Sequence, residues 1–449
     1  MHPLLGVLYA GGVSVARAAS LMAPDCDGKI WRSLRARRGL LTRWERAAAA
    51  TRDPSRPLVW LHAPSVGEGL QARPVAHALR AARPDVQPAY SFFSPSAERF
   101  AARVGAELTD YLPFDGATEA ERMLDALRPD LLVFVKLDVW PVLVARAVAR
   151  GVPVAMLSAT LSAGSGRRSG LAQALMHDAY AALSAVGAID AANADRLVAL
   201  GVRREVVHVT GDTRFDQVWA RAQGVDRASP LLRLLASDRP TLVAGSTWPS
   251  DEAVLLPAWR AARAAVPRAR LIVAPHEPTA SHVTPMLAWA RGAGLQVATL
   301  ADGERAGVPC GADVLVVDRV GVLGDLYALA TAAFVGGGFH SAGLHSAIEP
   351  AAFGAPVVFG PGHHMSREAG LLLEAGGGAA VADAGALAAV LRTWLADGGG
   401  RDDAGGRARA LVQAELGAWA RAVGRSEGLV RGGRRGGSGR WRGCSGVLG

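Results

Sequence analysis

Residues 332–361 read AAFVGGGFHSAGLHSAIEPAAFGAPVVFGP, and this stretch decides the fold. An apolar run ends in Gly336-Gly337-Gly338. The chain turns through Gly343, a short helical pattern carries Glu349, and a second apolar run, Pro356–Phe359, follows. Strand, glycine turn, helix and strand in this order are the unit from which parallel sheets are built. Glycine lets a backbone approach a ligand closely, and the first N–H groups of a helix accept a phosphate or carboxylate. Glu349, about one helical turn in, is placed to accept hydrogen bonds from ribose hydroxyls.

The same alternation extends outward from this stretch. Before it come the apolar runs Thr241–Gly245, Leu271–Ala274 and Val314–Val317, and its own first run is Ala333–Gly336, all separated by longer helical patterns. An earlier series has Leu58–Leu61, Val86–Phe93, Leu131–Val135, Val152–Leu157, Val186–Ile189 and Val206–Val209. The expectation is an α/β chain of two doubly wound, Rossmann-like domains facing each other across a cleft. Ligands in such sheets bind beyond the carboxyl ends of the strands. The expected boundaries are an apolar segment at 1–25, a first domain at 26–215, a polar linker at 216–240, a second domain at 241–424 and a basic tail at 425–449.

Composition agrees with two domains. Half of the 449 residues are hydrophobic, too many for one compact core. The three cysteines, Cys26, Cys310 and Cys444, are odd in number and far apart, which excludes a disulfide framework. The net charge is +9, and only two of the 49 cations are lysine, Lys29 and Lys136. The excess gathers near the ends. Lys29, Arg32, Arg35, Arg37, Arg38, Arg43 and Arg46 follow the apolar start, and RGGRRGGSGRWRG closes the chain as a tail expected to be disordered. The start itself, PLLGVLYAGGVSVARAASLM, is apolar but broken by Arg17 and three glycines. An apolar segment followed by a polybasic one suits an anchor at an anionic leaflet.

Strand exits hold the candidate chemistry. In WLHAPSVGEG (60–69), Glu68 stands between two glycines. It is either an acid favoured at a helix start or a carboxylate facing a substrate, with the glycines clearing space for it. The run Leu131–Val135 exits into Lys136, Asp138, Trp140 and Pro141. A cation there is an exposed ion pair or a group that stabilises developing negative charge. In TGDTRFD (210–216), Arg214 points toward the joint between the domains. In the second half, GSTWPSDE (245–252), APHEPT (274–279) and DRVGVLGDLY (318–327) each open a helix. Ser246 and Thr247 are candidate caps or anion ligands. His276 and the pair His363-His364 lack the spacing of metal ligands, and Gly321 lets a backbone approach a base or phosphate.

Taken together, HAPSVGEG, SFFSPSAERF, YLPFD, DVWP, LSATLS, TGDTRFD, GSTWPSDE, APHEPT and the glycine-rich stretch at 332–361 resemble, in order and spacing, the lipid A Kdo transferases. These are GT-B glycosyltransferases that transfer 3-deoxy-D-manno-octulosonic acid (Kdo) from CMP-Kdo. The resemblance spans roughly residues 2–420. It implies an inverting enzyme without a metal or other cofactor. Its partners would be CMP-Kdo, a lipid A precursor and the cytoplasmic face of the inner membrane, with no nucleic acid. It implies Glu68 as general base and Lys136 and Arg214 as stabilisers of the transition state. It implies CMP binding through Pro275 and His276, the turn Val320-Gly321-Val322, and Ser346, Ala347, Ile348 and Glu349. There are departures. Lys136 stands where many members have glutamate, His276 and Thr160 replace arginines, and Gly343-Leu344-His345-Ser346 replaces Gly-Gly-His-Asn. Alternatives are another GT-B transferase or epimerase using a UDP-sugar, and a non-catalytic sugar-nucleotide-binding protein.

Overall fold

A computed structural model describes residues 3–421 and 424, apart from 163, 169, 308, 309 and 397. The tail expected to be disordered, 425–449, lies outside the described residues. The chain divides into two units. The first runs to Asp216 and takes up the chain again from Gly417; the second is Gln217–Leu416.

The first unit is built on β1 (Leu58–His62), β2 (Gln87–Phe92), β3 (Leu108–Tyr111), β4 (Leu131–Val135), β5 (Val154–Ala159), β6 (Ala185–Ala188) and β7 (Val207–Val209). All pairings are parallel, in the order β3-β2-β1-β4-β5-β6-β7. Every residue of β1, β2, β4 and β5 is buried, as expected of central strands covered by helices on both faces. The second unit repeats the plan with β8 (Thr241–Thr247), β9 (Arg270–Pro275), β10 (Val297–Thr299), β11 (Val314–Val316), β12 (Ala332–Val335), β13 (Val357–Phe359) and β14 (Gly378–Ala380). Its order is β10-β11-β9-β8-β12-β13-β14, again wholly parallel. In each unit the strand order reverses direction beside the first strand, so β1 and β4 exit side by side, as do β8 and β12.

The ends of the second unit differ from expectation. The stretch expected as a polar linker, 216–240, holds most of the helix Thr213–Gly224 and the helix Pro230–Leu235. At the far end the chain returns to the first unit. Gly417 and Trp419 donate backbone N–H groups to Asp216 at 2.7 and 3.2 Å, and Arg421 Nε donates to the Thr210 carbonyl at 2.8 Å. The carboxylate that ends the first pass of the chain thus captures the second.

The apolar start forms a helix, Pro3–Met22. Among the described residues it is the one helix long and apolar enough to cross a membrane. One face is tied to the first unit: Tyr9 Oη donates to Asp115 Oδ2 at 2.9 Å, Arg17 pairs with Glu119 at 2.5 Å, and Ser20 Oγ donates to the Leu34 carbonyl at 2.7 Å. The other face leaves Leu4, Val7, Leu8 and Val15 exposed.

Candidate active site

In the first unit β1 and β4 are neighbours, with Leu61 opposite Val133 and His62 opposite Phe134. Their exits therefore lie side by side. β1 leads through Ala63 and Pro64 into the helix Val66–Ala82, whose N-cap is Ser65 and whose first turn carries Glu68. β4 leads directly into Lys136. Lys136 Nζ donates to Glu68 Oε1 at 2.9 Å, and Ser65 Oγ donates to Glu68 Oε2. Burial pushes the Glu68 carboxyl up, but the Ser65 hydroxyl and the Lys136 ammonium together outweigh it, so the group sits below the usual carboxylate range.

Lys136 holds this position with a left-handed backbone, φ 61°, and its N–H donates to the Leu157 carbonyl at 2.8 Å. Two other non-glycine residues at strand exits share this conformation, Ser158 and Ser246, with φ of 50° and 55°. Such backbone costs about 1 kcal/mol or more per residue and gathers at functional sites.

Behind Lys136 lies a polar network that the sequence reading did not assemble. His62 is buried between Ser91 Oγ, 2.9 Å from Nδ1, and Asp138 Oδ2, 3.0 Å from Nε2. Trp60 Nε1 donates to Ser91 Oγ at 2.9 Å, and Trp140 Nε1 donates to Asp138 Oδ2 at 3.2 Å. Burial pushes the Asp138 carboxyl up, yet His62 and Trp140 bring it below the usual range. Trp140 stacks on Phe93 with ring centres 5.0 Å apart. Part of the signal was in the sequence: Trp60 and His62 alternate on β1, whereas Asp138 and Trp140 lie beyond the end of β4, in the turn before the helix Pro141–Ala149, where strand periodicity does not apply.

The glycines beside Glu68 do different jobs. A Cβ at Gly69 would lie 2.8 Å from Phe100 and 2.9 Å from the Tyr90 hydroxyl, so Gly69 is needed for packing. A Cβ at Gly67 would meet nothing closer than Ser65 Oγ at 3.8 Å, so only this glycine faces open space. Arg214 opens the helix Thr213–Gly224 and is held by Asp212, with Nε and Nη2 at 2.9 and 2.7 Å from Oδ2.

In the second unit the glycine run has a structural cause that the sequence reading assigned to a ligand. A Cβ at Gly336 would lie 2.3 Å from the Ser246 carbonyl, at Gly337 2.1 Å from the Gly343 carbonyl, and at Gly338 2.4 Å from Gly360 N. The loop is packed on its own backbone. It is anchored by Asp251, which accepts from Gly337 N at 2.7 Å, Phe339 N at 3.0 Å and Trp248 N at 2.9 Å. Asp251 also sits in the first turn of the helix Pro249–Ala265, so Trp248 is its N-cap, not Ser246 or Thr247. Thr247 Oγ1 instead donates to Glu252 Oε1 at 2.7 Å, and Glu252 pairs with His282.

Above this loop is an aromatic stack. Trp248 lies between His340, ring centres 4.1 Å apart at 3°, and His276, 4.6 Å at 26°. His276 stacks in turn on His345 at 4.6 Å. Pro275 is the buried last residue of β9, and His276 N donates to the Thr247 carbonyl at 2.9 Å. Val320 is exposed and Gly321 has φ 94° with open space beside it, which leaves the Val320-Gly321-Val322 backbone accessible. Ala347 and Ile348 turn their side chains into the core, so they can offer a ligand only backbone. The helix they open, Ile348–Ala352, has five residues, too short for a useful dipole. Burial pushes the Glu349 carboxyl up, against the pull of Arg221. Arg221 pairs with Asp325 at 3.0 Å.

The family model for 3-deoxy-D-manno-octulosonic-acid transferase (kdotransferase) matches residues 33–217. A 3-deoxy-D-manno-octulosonic acid transferase of Bordetella pertussis is 33% identical over 330 residues, covering 71% of this chain and 74% of the relative. One from Haemophilus influenzae is 28% identical over 304 residues, 67% of this chain and 70% of the relative. Among solved structures, the UDP-GlcNAc 2-epimerase of Methanocaldococcus jannaschii superposes with a TM-score of 0.53 at 13% identity, covering 80% of this chain and 99% of the other. The Neisseria meningitidis UDP-GlcNAc 2-epimerase gives 0.53 at 12%, over 80% and 99%. At such identities the likeness is one of fold, a GT-B-like pair of doubly wound units.

Proposed function

The chain belongs to the family of 3-deoxy-D-manno-octulosonic-acid transferases, and is therefore a glycosyltransferase; on that premise we propose that it transfers Kdo from CMP-Kdo to a lipid A precursor by metal-independent displacement with inversion. The observation that carries the reading is the contact of Lys136 with Glu68, closed by Ser65, at the paired exits of β1 and β4.

A sugar hydroxyl has a pKa far above neutrality and gains from a positioned base, by about 10²–10⁴-fold. Glu68 takes the proton as the acceptor oxygen forms its bond to the anomeric carbon. The bond from that carbon to the CMP phosphate oxygen breaks, and CMP leaves with the electron pair. Protonation of Glu68 removes the charge that Lys136 was neutralising, which leaves an ammonium free to stabilise negative charge developing on the donor. Arg214, preset by Asp212, serves the same end. The first unit supplies the acceptor chemistry. The second supplies donor recognition through His276, the open Gly321 turn, Ser346 and Glu349.

The helix Pro3–Met22 and the exposed cations Lys29, Arg32, Arg38, Arg43 and Arg46 support a place on an anionic membrane surface, the cytoplasmic face of the inner membrane in this reading, whereas Arg37 is buried and held by the Leu112 and Phe93 carbonyls. Incubation with CMP-Kdo and a tetraacylated lipid A precursor, followed by mass spectrometry of the glycolipid, tests it. Appearance of Kdo-bearing product with release of CMP is expected; neither appearing sinks the reading. Because the fold is shared with UDP-sugar epimerases, thermal-shift titrations with CMP and UDP separate the two donor classes. Stabilisation by UDP alone would move the protein to the second.

A further inference from the structure

The exit of β5 is irregular. Its pairing with β6 runs to Met156 opposite Val186 and resumes at Ala159 opposite Ala188, so Leu157 and Ser158 face the single residue Gly187. This is a bulge, uncommon between parallel strands and frequent beside active sites, where it re-aims a side chain. Ser158 takes up the turn, with φ 50°. Glycine adopts that backbone freely, whereas a residue with a Cβ does not. What serine adds is a hydroxyl, buried and 2.8 Å from Thr213 Oγ1.

That bond joins β5 to the segment that carries Arg214. Thr210 and Gly211 donate their N–H groups to the Ala188 carbonyl at 2.9 and 3.3 Å. Gly187 leaves room for Thr210, since a Cβ there would lie 2.6 Å from Thr210 Oγ1. Asp212, also buried, accepts from the Arg214 N–H at 2.9 Å as well as from its guanidinium. Thr213 stands between Asp212 and Arg214 and ties both to Ser158. On the other side of the bulge, the Leu157 carbonyl accepts from the Lys136 N–H at 2.8 Å. Two consecutive residues of one strand exit therefore hold the segments of both cations, Leu157 that of Lys136 and Ser158 that of Arg214.

We propose that Ser158, acting through Thr213, is a positioning residue that sets the Arg214 guanidinium relative to Lys136 for the transfer step. It touches no substrate itself. The proposal rests on the role given above to the two cations and adds the mount that holds them. Such a mount matters because charge that develops during reaction is stabilised best by groups fixed in place beforehand. A misplacement of about 1 Å costs about a hundredfold in rate.

Steady-state turnover of the full-length protein with CMP-Kdo and a tetraacylated lipid A precursor tests this in S158G, T213V, T213S, R214A and the double variant S158G/R214A. S158G and T213V should lower kcat by about tenfold to a hundredfold and leave the KM for CMP-Kdo near that of the wild type. The thermal midpoint of S158G should stay close to the wild type, since release of the left-handed backbone offsets the lost bond. T213S keeps the hydroxyl and should keep kcat. S158G should cost nothing further in R214A, because two changes that act through one group do not add. The acidic limb of kcat/KM should stay in place in S158G, because a backbone carbonyl holds the Lys136 amide. Full kcat in S158G overturns the proposal. So do a loss in T213S equal to that in T213V, a shifted acidic limb, or an undiminished cost of S158G in R214A. Wild-type turnover in R214A overturns it too, while the transferase reading stands on the product. If the wild type forms no product, that reading falls and the Arg214 Nε–H resonance decides the positioning. Identified by its loss in R214A, it should exchange with water faster in S158G than in the wild type, and equal exchange overturns the proposal.

Discussion

Lys136 Nζ lies 2.9 Å from Glu68 Oε1, across the exits of two adjacent parallel strands. The pair joins the rarer basic residue of this chain to a carboxylate in the first turn of a helix. Its consequence is a base that is ionised throughout the neutral range, at some loss of proton affinity.

The acidic limb of kcat/KM against pH should therefore fall below the ordinary glutamate value of about 4.3. E68Q should lower kcat by about 10²–10⁴-fold with the thermal midpoint nearly unchanged. K136N keeps a residue that tolerates positive φ but removes the ammonium. Burial, which raises the Glu68 pKa, is then less opposed, so the limb should move to higher pH. A depressed folded-state pKa contributes stability above the unfolded-state value and loses it as pH falls through the folded value. Urea midpoints from pH 3 to 7 should thus depend less on pH in K136N than in the wild type. An unshifted limb in K136N would count against the coupling.

Gly67 and Gly69 separate packing from function. G69A drives a Cβ into Phe100 and Tyr90 and should cost roughly 1–3 kcal/mol in urea denaturation. G67A has room, and alanine in a helix is favoured over glycine by about 0.5–1 kcal/mol. Its stability should rise slightly. If the open space at Gly67 receives the acceptor sugar, kcat/KM should fall all the same. A stable G67A protein with full activity would place the acceptor elsewhere.

Ten of the eleven strands legible in the sequence lie inside the sheets, and the eleventh, β7, is an edge strand that still carries an apolar run, Val206–Val209. The three that are not legible, β3, β10 and β14, are all at sheet edges. They are short, and their residues alternate or stay half exposed, so they lack the continuous apolar run of a central strand. Glu68 and Lys136 were each visible at a strand exit. Their contact was not, since it depends on β4 lying beside β1 and joins residues 68 positions apart, a matter of strand order. Asp251 was hidden differently. Its spacing from Trp248 is that of an ordinary helix-start acid, and nothing local shows that a glycine loop from 86 residues further on will close over it.

Asp251→Ala should be among the most damaging single changes in the second unit. It strips three backbone N–H groups of their acceptor in a buried setting. Each orphaned donor costs about 1–3 kcal/mol, so a loss of roughly 3 kcal/mol or more is expected by urea denaturation. Nucleotide affinity should fall with it, because the loop that Asp251 holds leads into Ser346 and Glu349. A loss below about 1 kcal/mol would mean that the loop is held by its backbone packing alone.

The N-terminal helix offers a test in which attachment to the protein and attachment to lipid are separated by face. Tyr9, Arg17 and Ser20 hold it to the first unit, whereas Leu4, Leu8 and Val15 share the exposed stripe. Replacing these three by glutamine leaves the docked face intact. Burying each apolar side chain in lipid contributes about 1.5–3 kcal/mol, so the triple variant should lose at least about 4 kcal/mol, near a thousandfold in partitioning. Flotation with vesicles containing anionic lipid measures it. Wild-type binding should also weaken at 0.5 M salt, where charge attraction from the Lys29–Arg46 cluster is screened to within about 4 Å. If the variant floats as well as the wild type at both salt concentrations, the exposed stripe is not what meets the membrane.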